Sequence, residues 1–178
     1  MPDNENLAPT GENETTTNET TANDLVLRYQ FESYMKCRDG SVNLIGEGFT
    51  AFPEAKNAQE YSRKYINYKT EKTDVIGYSP SVGYSCDAIP SDPVVEDVMY
   101  ITDHELVGAA THREIICVNR WDEDENGKCA AYKRKYAIIP DTKGDGTEAL
   151  VYSGTMKAVS DIVFGTFDPA NNTFTATE

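Results

Sequence analysis

The feature that most limits the possible folds is a pair of apolar-rich runs joined by a short acidic segment. The first run is REIICVNRW, the second is CAAYKRKYAII, and the segment between them is DEDENGK, which contains Asn126-Gly127. Asn-Gly favours the tight turns with positive φ that reverse a chain between paired strands. The sequence therefore predicts an antiparallel β-hairpin here.

Strand patterns continue on both sides of this hairpin. From Leu25, apolar and polar residues alternate, which predicts a strand with one buried face. Asp39-Gly40 then predicts a tight turn and residues 42–45 a returning strand. The predicted inner face of the first strand consists of Leu25, Leu27, Tyr29, Phe31, Ser33, Met35 and Cys37.

One helix is predicted after Asp92, a good N-cap residue followed by Pro93 at the first helical position. Val94, Val98 and Ile101 recur at helical spacing. Further strands are predicted in TDVIGYSPSVGYSCDAI, as two short strands, and in ALVYSGTMKAV, DIVFGTF and TFTAT. One helix among many short strands indicates a mainly β fold, a β-sandwich or barrel-like fold with a flanking helix.

The segment Gly46–Lys72 does not give a clean strand pattern. It contains Gly46, Gly48 and Pro53, followed by YSRKYINYK, in which tyrosines are mixed with cations. Two alternatives remain open, a strand with a polar face and a long arm. A long loop in a compact domain often contacts a partner.

Residues 1–24 differ from the rest of the chain. They contain Asn, Glu and Thr with few apolar residues, and no Lys or Arg. Such a segment cannot bury enough surface to offset the entropy of ordering. We therefore predict an acidic, flexible N-terminal arm over 1–24 and a single domain over 25–178.

The charge balance limits the partners. Sixteen basic side chains stand against thirty acidic ones, so the formal net charge is −14. A protein that gripped nucleic acid by its phosphates would need the opposite sign. The composition argues against direct DNA binding, because an acidic surface repels DNA.

Two short motifs resemble ligand sites. Asp122-x-Asp124-x-Asn126-Gly127 begins like a calcium-binding loop, but the twelfth position is Lys133 instead of a carboxylate, so we predict an acidic hairpin tip. KGDGT at 143–147 lacks the phosphate-binding lysine pattern and is predicted to be a turn.

No residue set indicates catalysis. His104 and His112 have no metal-ligand spacing, the four cysteines include no C-x-x-C pair, and no nucleophile elbow occurs. We predict no catalytic, cofactor or metal site, and cysteines that behave as small apolar residues in a reducing cytoplasm. Neither a signal peptide nor a membrane-spanning run is predicted.

An ordered set of short segments carries a resemblance to a known family. The segments are Leu44-Ile45-Gly46-Glu47-Gly48-Phe49, Tyr65-Ile66-Asn67, Glu71-Lys72-Thr73, Gly77-Tyr78-Ser79-Pro80-Ser81, Asp92-Pro93-Val94, Arg113-Glu114-Ile115, Arg134-Lys135-Tyr136-Ala137, Gly144-Asp145-Gly146, Tyr152-Ser153-Gly154 and Gly165-Thr166-Phe167. Over about residues 25–178, the chain resembles the major tail tube proteins of long-tailed bacteriophages and prophages of Gram-positive bacteria.

The resemblance implies a virion structural protein and not an enzyme. Subunits of that family close into hexameric rings, and the rings stack into a hollow tail tube that conducts DNA into the host cell. The implied partners are further copies of the chain and the tail tip, tape measure and tail terminator proteins. DNA would pass through the lumen without specific binding. The implied locations are the virion tail and, during assembly, the host cytoplasm.

The resemblance also implies a role for the segment Gly46–Lys72, because a long loop of such proteins reaches a neighbouring subunit. Five aromatic residues are then candidate interface anchors, with the alternative that each covers its own core. Acidic side chains are expected to face the lumen, with Glu32 one candidate among several. The five candidate anchors are Phe49, Phe52, Tyr61, Tyr65 and Tyr68.

Two other functions stay open at this point. One is a secreted or surface β-sandwich module that binds carbohydrate, for which exposed tyrosines and acidic loops would be suitable. The other is a different tail component, such as a terminator or connector.

Overall fold

The computed structural model describes residues 25–144 and 146–177, so the predicted arm over 1–24 lies outside the described residues. Short 3-10 turns cover Arg28–Gln30 and Gly108–Thr111. The strands and the helix are β1 Phe31–Lys36, β2 Val42–Leu44, β3 Phe49–Ala51, β4 Glu54–Ala55, β5 Ala58–Arg63, β6 Lys72–Tyr78, β7 Ser81–Asp87, α1 Pro93–Asp103, β8 His112–Glu123, β9 Cys129–Lys143, β10 Val151–Ala158, β11 Val163–Asp168 and β12 Thr173–Ala176.

Ten strands form one antiparallel sheet that curls into a half-barrel. Its main order is β2-β1-β8-β9-β10-β7-β3, with β4 also paired to β7. Strands β5 and β6 form a separate two-stranded sheet. The prediction of a mainly β, barrel-like fold with a flanking helix is confirmed.

Strand β9 is where the sheet divides. Its first half pairs with β11, up to Lys133 opposite Val163, and its second half pairs with β10, starting at Tyr136 opposite Ala158. Strand β12 extends β11. The branch formed by β11 and β12 and the branch that begins with β10 thus both start from β9. Strands β11 and β12 cover one face of β8 and β9, and the helix packs on the other face.

The predicted central hairpin is confirmed as β8 and β9. At its tip, Asp124 Oδ1 accepts hydrogen bonds from the backbone N–H groups of Asn126 (2.8 Å) and Lys128 (2.9 Å). Gly127 has a φ of 75°, which glycine adopts without steric cost. The Asn-Gly signal and the side chain of Asp124 therefore fix the same turn.

The predicted helix is also confirmed. Asp92 Oδ1 accepts hydrogen bonds from Val94 N at 2.9 Å and Val95 N at 2.8 Å, which satisfies two of the free N–H groups at the helix start. The apolar positions Val94, Val98 and Ile101 are fully buried against the sheet. Capping and periodicity point to the same segment, so the local sequence defines this helix.

Two apolar cores lie on opposite faces of β8. Ile115 and Cys117 belong to the core beneath the helix, whereas Ile116 and Val118 pack in a second core around Phe167 of β11. Alternating side chains of a strand point to opposite faces. The continuous apolar run IICV is needed because both faces of β8 are covered.

The predicted first strand begins later than expected. The alternation starts at Leu25, but β1 starts at Phe31, and Leu25, Leu27 and Tyr29 are exposed. Phe31 pairs with Asn119, the last β8 residue that faces β1. Without a partner strand, the preceding residues form a 3-10 turn, so this part of the prediction was wrong.

Among the described residues, no helix has the length and apolar character needed to cross a membrane.

Candidate assembly surface

A two-stranded ribbon projects from the domain. It consists of β5, β6 and the loop between them, residues 58–78, and is called the arm hairpin here. Every residue of β5 is exposed, and so is every residue of β6 except Gly77, which is half-buried. Both alternatives left open for this region, a polar strand and a long arm, therefore apply to it.

The base of the arm hairpin is held by one asparagine. Asn57 has a φ of 45°, a left-handed conformation that asparagine tolerates better than most residues. Its Nδ2 donates hydrogen bonds to Ser79 O (3.0 Å) and Ser81 Oγ (2.9 Å), while Ser79 N donates to Asn57 O (3.2 Å). These bonds attach the start and the end of the ribbon to each other and to β7.

A half-buried carboxylate fixes the strand that leads into the arm. Glu54 on β4 accepts hydrogen bonds from Tyr132 Oη at 2.9 Å, Tyr136 Oη at 3.1 Å and Lys56 Nζ at 2.7 Å. Burial pushes the pKa of Glu54 up, but the donors from Lys56 and the tyrosines outweigh it, and the pKa is lowered. The carboxylate therefore ties the root of the arm to β9.

The register of the ribbon divides its side chains between two faces. Tyr61 lies opposite Asp74 and Arg63 opposite Lys72. These four share one face, because directly opposed residues of paired strands point the same way. Two cations thus stand directly opposite each other at the outer end of this face.

Aromatic rings and cations form a concave surface at the outer end of the arm, called the arm notch here. The rings of Tyr65 and Tyr68 meet edge to face with centroids 6.4 Å apart, and Lys72 Nζ lies 4.4 Å from the centroid of Tyr68. The cavity has a volume of about 480 Å³. It is lined by Tyr61, Arg63, Tyr65, Asn67, Tyr68, Lys72 and Asp74.

The charge of the arm hairpin differs in sign from the rest of the chain. Residues 58–78 contain four cations and three carboxylates, a net charge of +1. Because the formal net charge of the whole chain is −14, all other residues together carry −15. Four large apolar side chains of the ribbon are also exposed: Ile66, Val75, Ile76 and Tyr78. A basic ribbon with exposed apolar side chains on an acidic body is suited to contacting another surface.

The structure separates the five predicted anchors into two groups. Tyr61, Tyr65 and Tyr68 lie on the arm hairpin and are 44–47% exposed. Phe49 and Phe52 are half-buried, meet edge to face at 5.9 Å and pack against the core beneath the helix. The two phenylalanines thus cover their own core, and a contact between subunits stays a prediction for all five residues.

A groove beside the chain start was not predicted. It runs between the segment before β1 and β3, has a volume of about 450 Å³, and includes the exposed rim residues Tyr29 and Leu44. The alternation of residues 25–37 predicts one continuous strand, whereas the residues before Phe31 form a turn that borders this groove. The other lining residues are Arg28, Phe31, Glu32, Ile45, Gly46, Phe49, Thr50, Ala51 and Phe52.

Glu32, one candidate for a lumen-facing acid, is half-buried on β1. It accepts a hydrogen bond from Tyr34 Oη at 2.8 Å and lies 3.8 Å from Arg120 Nε. Its charge is therefore partly offset within its own subunit. Which acidic residues face a lumen stays a prediction.

The two motifs that resemble ligand sites have structural roles. One carboxylate oxygen of Asp124 accepts hydrogen bonds within its own turn. Residues 25–144 and 146–177 contain no group of three His, Cys, Asp or Glu that could hold a metal ion. The chain reverses after Lys143, where Gly144 N donates to Val151 O at 2.9 Å; Asp145 lies outside the described residues.

The histidines and cysteines also lack a reactive arrangement in the described part of the chain. His104 ends the helix and stacks on Tyr100 at 4.0 Å, and His112 opens β8. All four cysteines are buried and unpaired, and burial raises the pKa of Cys86 and Cys117 to about 11. Protonated, buried thiols pack as small apolar side chains, as predicted.

The curled sheet and its flanking helix define a mainly β fold that one solved structure from a tail particle shares. The chain is similar to a structure described as the tail of an empty GTA particle with C6 symmetry, with a TM-score of 0.52, 13% identity and coverage of 79% of this chain and 98% of that one. At this identity the likeness establishes the fold.

Two other solved structures match more weakly. A chain of the anti-feeding prophage baseplate has a TM-score of 0.47, with 7% identity over 79% of this chain and 95% of that one. A chain of the anti-feeding prophage cap has a TM-score of 0.49, with 12% identity over 86% and 99%. No known protein family and no curated protein matches the sequence.

Proposed function

We propose that this chain is a structural subunit of a bacteriophage tail or of a tail-like particle, and that its copies assemble into stacked hexameric rings. The arm hairpin is the observation that carries this proposal. A ribbon that buries almost none of its own surface gains stability only from a partner, because two-stranded sheets are marginal alone. The fold shared with a tail subunit of sixfold symmetry supports the choice of partner.

The sheet supplies further contacts for a ring. Strands β3 and β12 each have one side that no strand of the same chain pairs among the described residues. Open edges of this kind invite pairing with another chain, and ring closure removes them. We infer that these edges, the arm hairpin and the groove beside β1 contribute to contacts between copies.

The finer role follows from the sequence resemblance. The tube conducts DNA, its lumen is lined in part by carboxylates that repel the phosphates, and the tape measure, tail tip and terminator proteins meet its ends. The net charge of −14 supports a conduit that does not hold DNA. Assembly takes place in the host cytoplasm, and the product is the virion tail of a phage of a Gram-positive host.

The arm supplies a direct test. The pair Tyr65→Ala and Tyr68→Ala should raise the protein concentration needed for assembly by about a thousandfold, because truncating each buried interface aromatic costs about 2 kcal/mol, which is about thirtyfold per residue. Sedimentation velocity over a concentration series measures this shift. The matched pair Tyr65→Phe and Tyr68→Phe keeps both rings and should assemble like the wild type.

Other results would change the assignment. Equal assembly of the alanine and wild-type proteins would remove the arm from the interface. Rings that never stack would favour a terminator or connector. A protein that stays monomeric and binds carbohydrate would refute the tail proposal.

A further inference from the structure

The arm notch has an electrostatic conflict that the described part of its own subunit does not resolve. Arg63 and Lys72 are directly opposite each other on one face of the ribbon. Like charges in such a cross-strand position destabilise the pair. Six ion pairs are found among the described residues, and neither of these cations takes part in one. An anion bound between them would remove the repulsion.

The surroundings of the two cations favour a peptide carboxylate. Lys64 and Lys69 lie in the loop next to them, and Tyr65 and Tyr68 provide apolar walls. The notch contains one carboxylate, Asp74, at the end towards the body. Flat aromatic walls and several cations along an open cleft fit an extended acidic chain better than a single small ion.

The chain itself contains a matching segment. Residues 1–24 carry six carboxylates and no Lys or Arg. They continue from Leu25, which is 83% exposed, so the segment joins the domain at its surface. Twenty-four residues can extend over about 80 Å. A folded domain of this size has a radius of gyration of about 15 Å, so the segment can reach the arm of its own subunit.

We propose that residues 1–24 bind the arm notch of the same subunit through their carboxylates. Tethering gives the segment an effective concentration in the millimolar range, whereas a separate acidic partner must compete from solution. The binding itself does not depend on ring formation and can be measured on dilute, unassembled protein.

The test is zero-length carbodiimide crosslinking of the full chain, which joins a carboxylate to a lysine amine in direct contact. Mass spectrometry should find crosslinks from residues 1–24 to Lys64 and Lys69. The double variant Arg63→Gln, Lys72→Gln leaves both of these amines in place and should reduce the crosslinks by about fivefold, the effect of losing exposed charge pairs. The control Lys36→Gln, Lys157→Gln removes two exposed cations outside the arm and should not reduce them.

Isotope labelling identifies the subunit that supplies the segment. In an equal mixture of ¹⁴N and ¹⁵N protein, the crosslinked peptides should carry one label each, with no mixed pairs. Mixed pairs alone, or crosslinks spread evenly over lysines of the body, would overturn the proposal. A lack of crosslinks from residues 1–24 would also overturn the proposal. Binding of a single-stranded oligonucleotide that the variant Arg63→Gln, Lys72→Gln loses would then identify nucleic acid as the ligand of the notch.

The outcome is separable from that of the proposed function. Crosslinks within one subunit that never forms rings would keep this inference and refute the tail assignment. Rings that form without such crosslinks would support the tail assignment and refute this inference.

Discussion

A buried ion pair attaches the helix to the sheet. Asp97 of α1 and Arg113 of β8 are 1% and 9% exposed at their side chains, and Arg113 Nη2 lies 2.8 Å from Asp97 Oδ1. Asp97 also accepts a hydrogen bond from Arg38 N at 3.1 Å, in the turn after β1. One carboxylate therefore connects three separate segments of the chain.

Removing one partner of this pair should be costly. Asp97→Ala leaves the Arg113 guanidinium buried without its counter-charge, so we expect the free energy of unfolding to fall by about 3 to 5 kcal/mol. Glu96→Ala is the matched control, because Glu96 is the preceding residue and pairs with Arg38 at the surface, with exposures of 45% and 43%.

The control should cost less than about 1 kcal/mol. Urea denaturation of both variants measures the difference. Equal losses would show that the buried pair has no special role.

The carboxylate of Glu54 predicts a pH dependence. The pKa of Glu54 is lower in the folded state than in the unfolded state. The carboxylate therefore stabilises the fold above the unfolded-state pKa of about 4.3, and this contribution is lost as the pH falls through the folded-state pKa. Glu54→Gln should cost about 1 to 3 kcal/mol at pH 7, and its stability should fall less than that of the wild type on acidification. Denaturation measured from pH 7 to pH 3 gives both quantities.

Glu71→Gln, an exposed substitution on the arm, is the control and should follow the wild-type curve. A Glu54→Gln curve parallel to the wild type would mean that this carboxylate does not contribute to acid sensitivity.

At the scale of elements, β10 depends on a close approach to its neighbours. A Cβ at Gly154 would lie 2.4 Å from Ile139 O on β9 and 2.6 Å from Tyr84 Oη on β7. The register of β10 and β9 also shifts at this residue. Strands β7, β10 and β9 can meet here only because the side chain is absent.

Gly154→Ala should therefore destabilise the domain by about 1 to 3 kcal/mol, since a backbone carbonyl cannot move aside as a side chain can. The matched control is Gly83→Ala on the adjacent strand, where the new Cβ would meet only Pro53 Cγ at 3.8 Å. The control should change stability by less than about 0.5 kcal/mol. Thermal unfolding of both variants tests this, and equal effects would contradict the packing argument.

Elements with a local signal were predictable from the sequence. The central hairpin has Asn126-Gly127 at its turn and the helix has Asp92 at its cap, and both depend on neighbours in sequence. The start of β1 depends instead on where β8 stops facing it, opposite Phe31. An alternating pattern gives a preference for a strand, but only a partner strand determines its length.

The candidate surface was predictable in part for the same reason. Tyr61, Tyr65 and Tyr68 stood out because tyrosines and cations alternate without forming a clear inner face. Phe49 could not be separated from them by sequence, since an aromatic residue in a glycine-rich segment is equally suited to a core. The bonds of Glu54 join residues 78 and 82 positions apart, and no local pattern indicates them.

Across the whole molecule, charge and exposed apolar surface are distributed unequally. The body is acidic and folded around two cores, whereas the arm hairpin is slightly basic and exposes several large apolar side chains. The ribbon adds little stability by itself, because a two-stranded sheet is marginal in water. A complementary acidic surface on another copy would bury the ribbon and neutralise its cations.

Electron cryomicroscopy of the concentrated wild-type protein tests this account most directly. We expect rings with sixfold symmetry that stack into hollow tubes, with the arm hairpin of each subunit packed on a neighbouring subunit. Particles that remain single at every concentration, with the arm hairpin free in solution, would contradict it.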